Sequence, residues 1–172
     1  MVIPFSIITS RLCGTPSVPA NSTRSSRAVK LGILGEVAGN QVAYADYRYF
    51  WDNWDIGAHT FGAGYRRYFG DRLLADVFLR YYQQEAALFY SDNAQTETLY
   101  VSRNRQLSTF SSIGAGARIS YRAATLPGGQ PLLVNGAYEF VSYRFDDFTD
   151  VRTGSLYSYN AHVLQLLLTT KF

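Results

Sequence analysis

The end of the chain separates by parity. His162, Leu164, Leu166, Leu168, Thr170 and Phe172 fall on one side, and Val163, Gln165, Leu167, Thr169 and Lys171 on the other. Successive side chains of a strand point to opposite faces, so one face is a nearly continuous apolar row ending on an aromatic, and the other carries Gln and Lys. That division suits a strand with hydrocarbon on one side and water on the other, as in the wall of an outer-membrane β-barrel. Leu164, Leu166, Leu168 and Phe172 also resemble the C-terminal signal read by the machinery that inserts such barrels. A soluble sandwich can end on an apolar strand too, so the weight of the argument rests on repetition.

The pattern does repeat. From Ala28 onward seven segments alternate with period two, which predicts strands. Ala28 to Val37 sets Val29, Leu31 and Ile33 against Lys30 and Glu36, and Gln41 to Trp51 sets Ala43, Ala45, Tyr47, Tyr49 and Trp51 against Asp46, Arg48 and Asp52. Ile56 to Phe69 is less clean, because His59 and Arg67 share a parity with Phe61, Ala63, Tyr65 and Phe69. Arg72 to Gln84 opposes Leu73, Ala75, Val77, Leu79 and Tyr81 to Asp76, Arg80 and Gln84. Leu107 to Tyr121 opposes Ile113, Ala115, Ala117 and Ile119 to Gly114, Gly116 and Arg118, and Leu132 to Arg144 opposes Val134, Tyr138 and Phe140 to Asn135 and Glu139. The final strand closes the series after a loop at 145 to 159.

Connection lengths alternate as well. Counted back from Phe172, the stretches 145 to 159, 85 to 106 and 52 to 55 fall at one end of the strands, and 124 to 130, 70 to 71 and 38 to 40 at the other. The two longest share an end and the two tightest share the opposite one, as short periplasmic turns and long surface loops do in outer-membrane barrels. Seven strands leave an even-numbered barrel one short. Residues 2 to 9 offer a brief apolar segment, but Pro4 argues against a regular strand interior. No Lys or Arg precedes that segment, as an export signal requires. Residues 1–27, with the Ser-, Thr- and Pro-rich stretch Cys13 to Arg27, therefore read as a linker or irregular arm, and 28–172 as barrel strands. The expected fold is all-β, an antiparallel transmembrane β-barrel. The chain would supply its C-terminal seven to eight strands, as part of a larger barrel in preference to a short eight-stranded one.

Composition limits the alternatives. Hydrophobic residues make up 47% of the chain while mean hydropathy is only -0.10, so apolar residues are interleaved with polar ones and no run approaches the roughly 18 needed for a membrane helix. The 14 Tyr against 2 Trp suit a boundary where a ring sits in hydrocarbon and its hydroxyl in water. The single cysteine, Cys13, excludes an internal disulfide framework and a multi-cysteine metal site. Despite a formal charge of +3, the Arg residues are spread singly through alternating segments, which argues against a nucleic-acid partner.

The most distinctive text is Tyr47-Arg48-Tyr49-Phe50-Trp51-Asp52-Asn53-Trp54-Asp55-Ile56 with His59-Thr60, joined by Phe78-Leu79-Arg80-Tyr81-Tyr82-Gln83 and Phe89-Tyr90-Ser91-Asp92. This text resembles an uncharacterised family of outer-membrane barrels of Gram-negative bacteria, known only as a domain of unknown function. The likeness runs over about residues 28 to 172 and corresponds to the C-terminal part of longer members. It implies a barrel fold and an outer-membrane location, and brings no activity and no catalytic residues.

Asp46, Arg48, Arg66, Asp76, Arg80, Arg118 and Glu139 share the parity expected of a lumen. Mixed charges there either pair and plug a narrow interior or line a channel in a wider one. Thr60-Phe61-Gly62-Ala63-Gly64-Tyr65-Arg66 echoes Ser112-Ile113-Gly114-Ala115-Gly116-Ala117-Arg118. A phosphate loop needs a strand-to-helix junction, whereas these glycines lie inside strands, where they relieve crowding and leave room for the following Arg. His59 lies close in sequence to Asp52 and Asp55, which would make a rim acid/base or metal cluster, but an ordinary loop-closing hydrogen bond is the preferred reading. His162 falls on the apolar row. Asp146, Asp147 and Asp150 lack the Gly and terminal Glu of a calcium loop and read as a solvated surface loop. The expected protein is a non-catalytic outer-membrane barrel, a structural element or narrow pore, without cofactor or metal. Its expected partners are outer-membrane lipid, lipopolysaccharide and the insertion machinery; the alternative is a barrel enzyme with a rim site near His59.

Overall fold

A computed structural model describes residues 5–8, 24–93, 101–126 and 129–170. Its strands are β1 (Phe5–Ile8), β2 (Ser26–Ala38), β3 (Gln41–Asp52), β4 (Gly57–Phe69), β5 (Leu73–Gln84), β6 (Phe110–Thr125), β7 (Pro131–Thr149) and β8 (Leu156–Thr169). Each pairs antiparallel with the next in a single sheet whose order follows the chain. No pairing joins β8 to β1 among the described residues, so the sheet is open at both sides. The only helical turn described is the 3₁₀ segment Arg105–Leu107, and among the described residues no helix is long and apolar enough to cross a membrane.

The alternation in the sequence becomes two chemically distinct faces. Directly paired residues of neighbouring strands share a face, and the register carries one such row from Arg66 to Asp76, Arg118, Ala137 and Gln165. A second runs from Lys30 to Arg48, Thr60, Tyr82, Ser112 and Tyr143. The opposite face holds Leu31, Ile33, Tyr47, Phe61, Val77, Leu79, Ile113, Ile119, Tyr138, Leu164, Leu166 and Leu168, and much of it stands open, with Leu166 79% and Leu79 60% exposed. The sheet is curved. Lys30 of β2 and Glu139 of β7 line one hollow, yet five strand spacings in a flat sheet would part them by about 24 Å. The charged face is the concave one.

Three boundaries differ from those expected. The arm assigned to 1–27 contributes strand: Phe5–Ile8 pairs with Ala28 to Leu31, and Ser26 and Arg27 open β2. The stretch 145 to 159 is mostly strand, with only 150–155 left as the turn, because a register shift between Arg144 and Thr149 breaks the period while β7 continues. Leu107 does not begin β6. Arg105–Leu107 coils instead, with the Asn104 side chain accepting from the Gln106 N–H. Cys13, Pro127, Gly128, Lys171 and the terminal Phe172 lie outside the described residues.

Candidate functional site

The concave face is built around glycines that let neighbouring side chains cross them. A Cβ on Gly64 would collide with the Tyr44 ring, and one on Gly116 would collide with the Phe78 ring and lie 2.7 Å from the Tyr138 carbonyl oxygen. Tyr44 crosses β4 above Gly64, and its hydroxyl donates to Asp76 Oδ1 at 3.0 Å. Arg66 Nη2 donates to Asp76 Oδ2 at 2.9 Å, and Arg118 Nη1 stands 4.0 Å from the same oxygen. Asp76 is thus a buried carboxylate, 4% exposed, held between two guanidiniums and a phenol from three other strands. Charge-assisted hydrogen bonds of this kind offset the cost of removing the carboxylate from water. The space beside Gly116 receives Phe78, and the Arg118 guanidinium stacks over that ring at 4.2 Å. The glycines therefore admit rings as well as arginines.

Nearer the loop end the charges are less fully matched. Lys30 pairs with Asp46 at 3.4 Å, and Asp46 leans over Gly62, whose added Cβ would meet its Oδ1 at 2.7 Å. Arg80 lies between Gly62 and Gly114 in the register. Neither Arg80 nor Arg48 has a carboxylate at ion-pair distance among the described residues. Arg48, Arg80, Arg118 and Glu139 line one hollow of about 340 Å³, and Arg80 and Glu139 also line an adjoining hollow of about 240 Å³ with Tyr82 and Tyr143. All seven charges expected to share a face do so. Lys30, Tyr44 and Phe78 belong with them, and their even parity alongside Asp46, Arg48 and Asp76 was the signal available for finding them.

The alternative rim cluster around His59 is not assembled among the described residues. His59 pairs with Tyr49 and Gln83 on the outer face, and its Nδ1 is 2.8 Å from the Tyr47 hydroxyl. Asp52 lies on the opposite parity, where it takes Arg24 and the N–H groups of Trp54 and Ile56. His162 repeats the outer arrangement, its Nδ1 2.8 Å from the Tyr138 hydroxyl and its ring beside Phe140. No group of three metal-ligating side chains forms among the described residues. Two of the three aspartates at the β7–β8 end, Asp147 and Asp150, are anchors, while Asp146 is exposed. Asp147 accepts from the Thr109 N–H, and Asp150 caps its own turn through the Arg152 N–H.

The connection between β5 and β6, whose residues 85 to 106 alternation leaves as a polar stretch, is folded against the rim in its described residues. Its Leu88 N–H donates to the Trp54 carbonyl, Phe89 packs edge-on to Trp54, and Ala87 is buried. On the other side the Tyr90 hydroxyl donates to the Asp147 carbonyl, Arg103 to the Thr149 carbonyl and to Asp92, and the Thr149 N–H to Asp92. Beneath it Ala58, Gln84, Phe110 and Phe145 continue one row of the concave face. Gln84 bonds the carbonyls of Gln106 and Ser108. The best-packed part of the molecule is therefore this end.

Residues 21–146 match the family described as "Protein of unknown function (DUF3570)". The match stops short of β8, whereas the likeness expected from the sequence ran to the end of the chain. No curated protein and no solved structure matches.

Proposed function

We propose that this chain, which belongs to the DUF3570 family of proteins of unknown function, forms part of the wall of a β-barrel in a bacterial outer membrane and serves there as a structural element or narrow pore without catalysis. The observation that carries this reading is the exposed apolar face. Leu31, Ile33, Phe61, Val77, Leu79, Ile113, Ile119, Leu164, Leu166 and Leu168 all stand open to solvent on one side of a sheet whose other side holds Asp46, Arg48, Arg66, Asp76, Arg80, Arg118 and Glu139. Soluble monomers rarely expose contiguous apolar patches of more than a few hundred Å², whereas lipid acyl chains satisfy such a face and a watery lumen satisfies the other. In this reading further strands close the sheet, the lipid and lipopolysaccharide of the outer membrane contact the outer face, and β8 engages the insertion machinery.

The test uses two neighbours in β8. Leu166 is on the outer face, and Gln165 lines the concave side with Arg66 and Asp76. In refolding into lipid vesicles, Leu166→Arg is expected to cost about 2 to 4 kcal/mol near the bilayer midplane, and Gln165→Arg little. Equal tolerance of the two would remove the lipid-facing assignment, and with it the barrel.

A further inference from the structure

We propose that the hollow around Arg48 and Arg80 binds small anionic solutes through their carboxylate or phosphate groups; this rests on the reading of the concave face as a water-filled interior. The local charge is unbalanced. Lys30, Arg48, Arg80 and Arg118 face Asp46 and Glu139 across the hollow. Two of the cations are committed, Lys30 to Asp46 and Arg118 toward Asp76. Arg48 and Arg80 are not, since no carboxylate lies within ion-pair distance of either among the described residues.

Position makes the excess usable. Arg80 stands between Gly62 and Gly114, and the carboxylates of Asp46 and Glu139 lean over those two glycines, flanking Arg80 without reaching ion-pair distance of it. Thr60, one strand from Arg48 in the same row, adds a neutral hydroxyl donor to the hollow. Guanidinium forks match carboxylate and phosphate oxygens geometrically. A hollow of about 340 Å³ admits a small solute and not a folded partner. Asp46 and Glu139 set the opposing field: they hold the site short of trapping an anion permanently, as passage through an interior requires.

The probes are inorganic pyrophosphate and citrate, titrated calorimetrically into the full chain folded in detergent micelles at low salt. Saturable binding of both is expected, weakening as salt is raised. Arg48→Gln and Arg80→Gln should each weaken it by about tenfold or more, the scale of a lost charged hydrogen bond. Arg152→Gln, on the β7–β8 turn, should leave it unchanged. Asp46→Asn should tighten binding, a gain that misfolding cannot imitate. Absence of binding to the folded wild type, or equal binding by Arg48→Gln, Arg80→Gln and Arg152→Gln, would overturn the site. Detergent-folded protein needs no bilayer, so binding that persists when lipid insertion fails would sink the barrel and leave the anion site standing.

Discussion

Gly116 and Gly35 show how much a missing Cβ means at one place and how little at another. At Gly116 an added methyl meets the Phe78 ring and the fixed carbonyl of Tyr138, while at Gly35 nothing lies within 4 Å. Gly116→Ala should therefore destabilise the folded protein by about 1 to 3 kcal/mol, the range for forced overpacking. Gly35→Ala should be close to neutral or slightly stabilising. Urea titration of the two variants against wild type checks the contrast, and similar midpoints would mean that Phe78 does not lie over β6. The parity of the glycines and of Asp46, Asp76, Arg80 and Arg118 was legible, because period two fixes the face of every residue in a regular strand. The role of Asp76 as a shared acceptor was not. Whether Tyr44, Arg66 or Arg118 reaches it depends on register across β3 to β6, which alternation does not specify.

The connection that sequence reading left as a polar stretch, 85 to 106, has a clear electrostatic definition in its described residues. Burial, with Asp147 and Asp92 nearby, pushes the Tyr90 phenol up to about 12. The hydrogen bond from Thr149, reinforced by Arg103, holds Asp92 below the usual carboxylate range. A depressed carboxylate contributes stability above its unfolded value of about 3.9 and loses it as pH falls through the folded value. A raised phenol contributes fully below its unfolded value of about 10 and loses that contribution as pH rises through the folded one. The strap should thus hold from about pH 4 to pH 10 and loosen outside that window. Limited proteolysis within 85–109 across pH reads this, and Asp92→Asn should abolish only the acid limb. An unchanged acid limb in that variant would assign the loosening to another carboxylate. This folding was invisible in the sequence because its contacts join residues far apart in the chain, Tyr90 to Asp147 and Arg103 to Thr149, and follow no period. The same cause hid the end of β7, where the register shift past Arg144 interrupts the alternation that made its first half readable.

At the scale of the whole molecule the open side of the sheet sets a physical demand. In an antiparallel ladder alternate residues direct their N–H and C=O groups toward each neighbour, so with β7 on one side about half the backbone groups of β8 point away from the described sheet. In water those groups are solvated. In hydrocarbon each unsatisfied one costs several kcal/mol, and a strand presenting Leu164, Leu166 and Leu168 to lipid cannot leave that edge bare. Membrane residence and an unpaired β8 are therefore incompatible, which turns closure into a measurable consequence of the proposed location. After reconstitution into lipid vesicles, the amides of Leu156–Thr169 should all exchange slowly, in both halves of the alternation. Slow exchange confined to the half bonded to β7 would mean that β8 keeps a wetted edge. The apolar outer face would then have to be covered by something other than a bilayer.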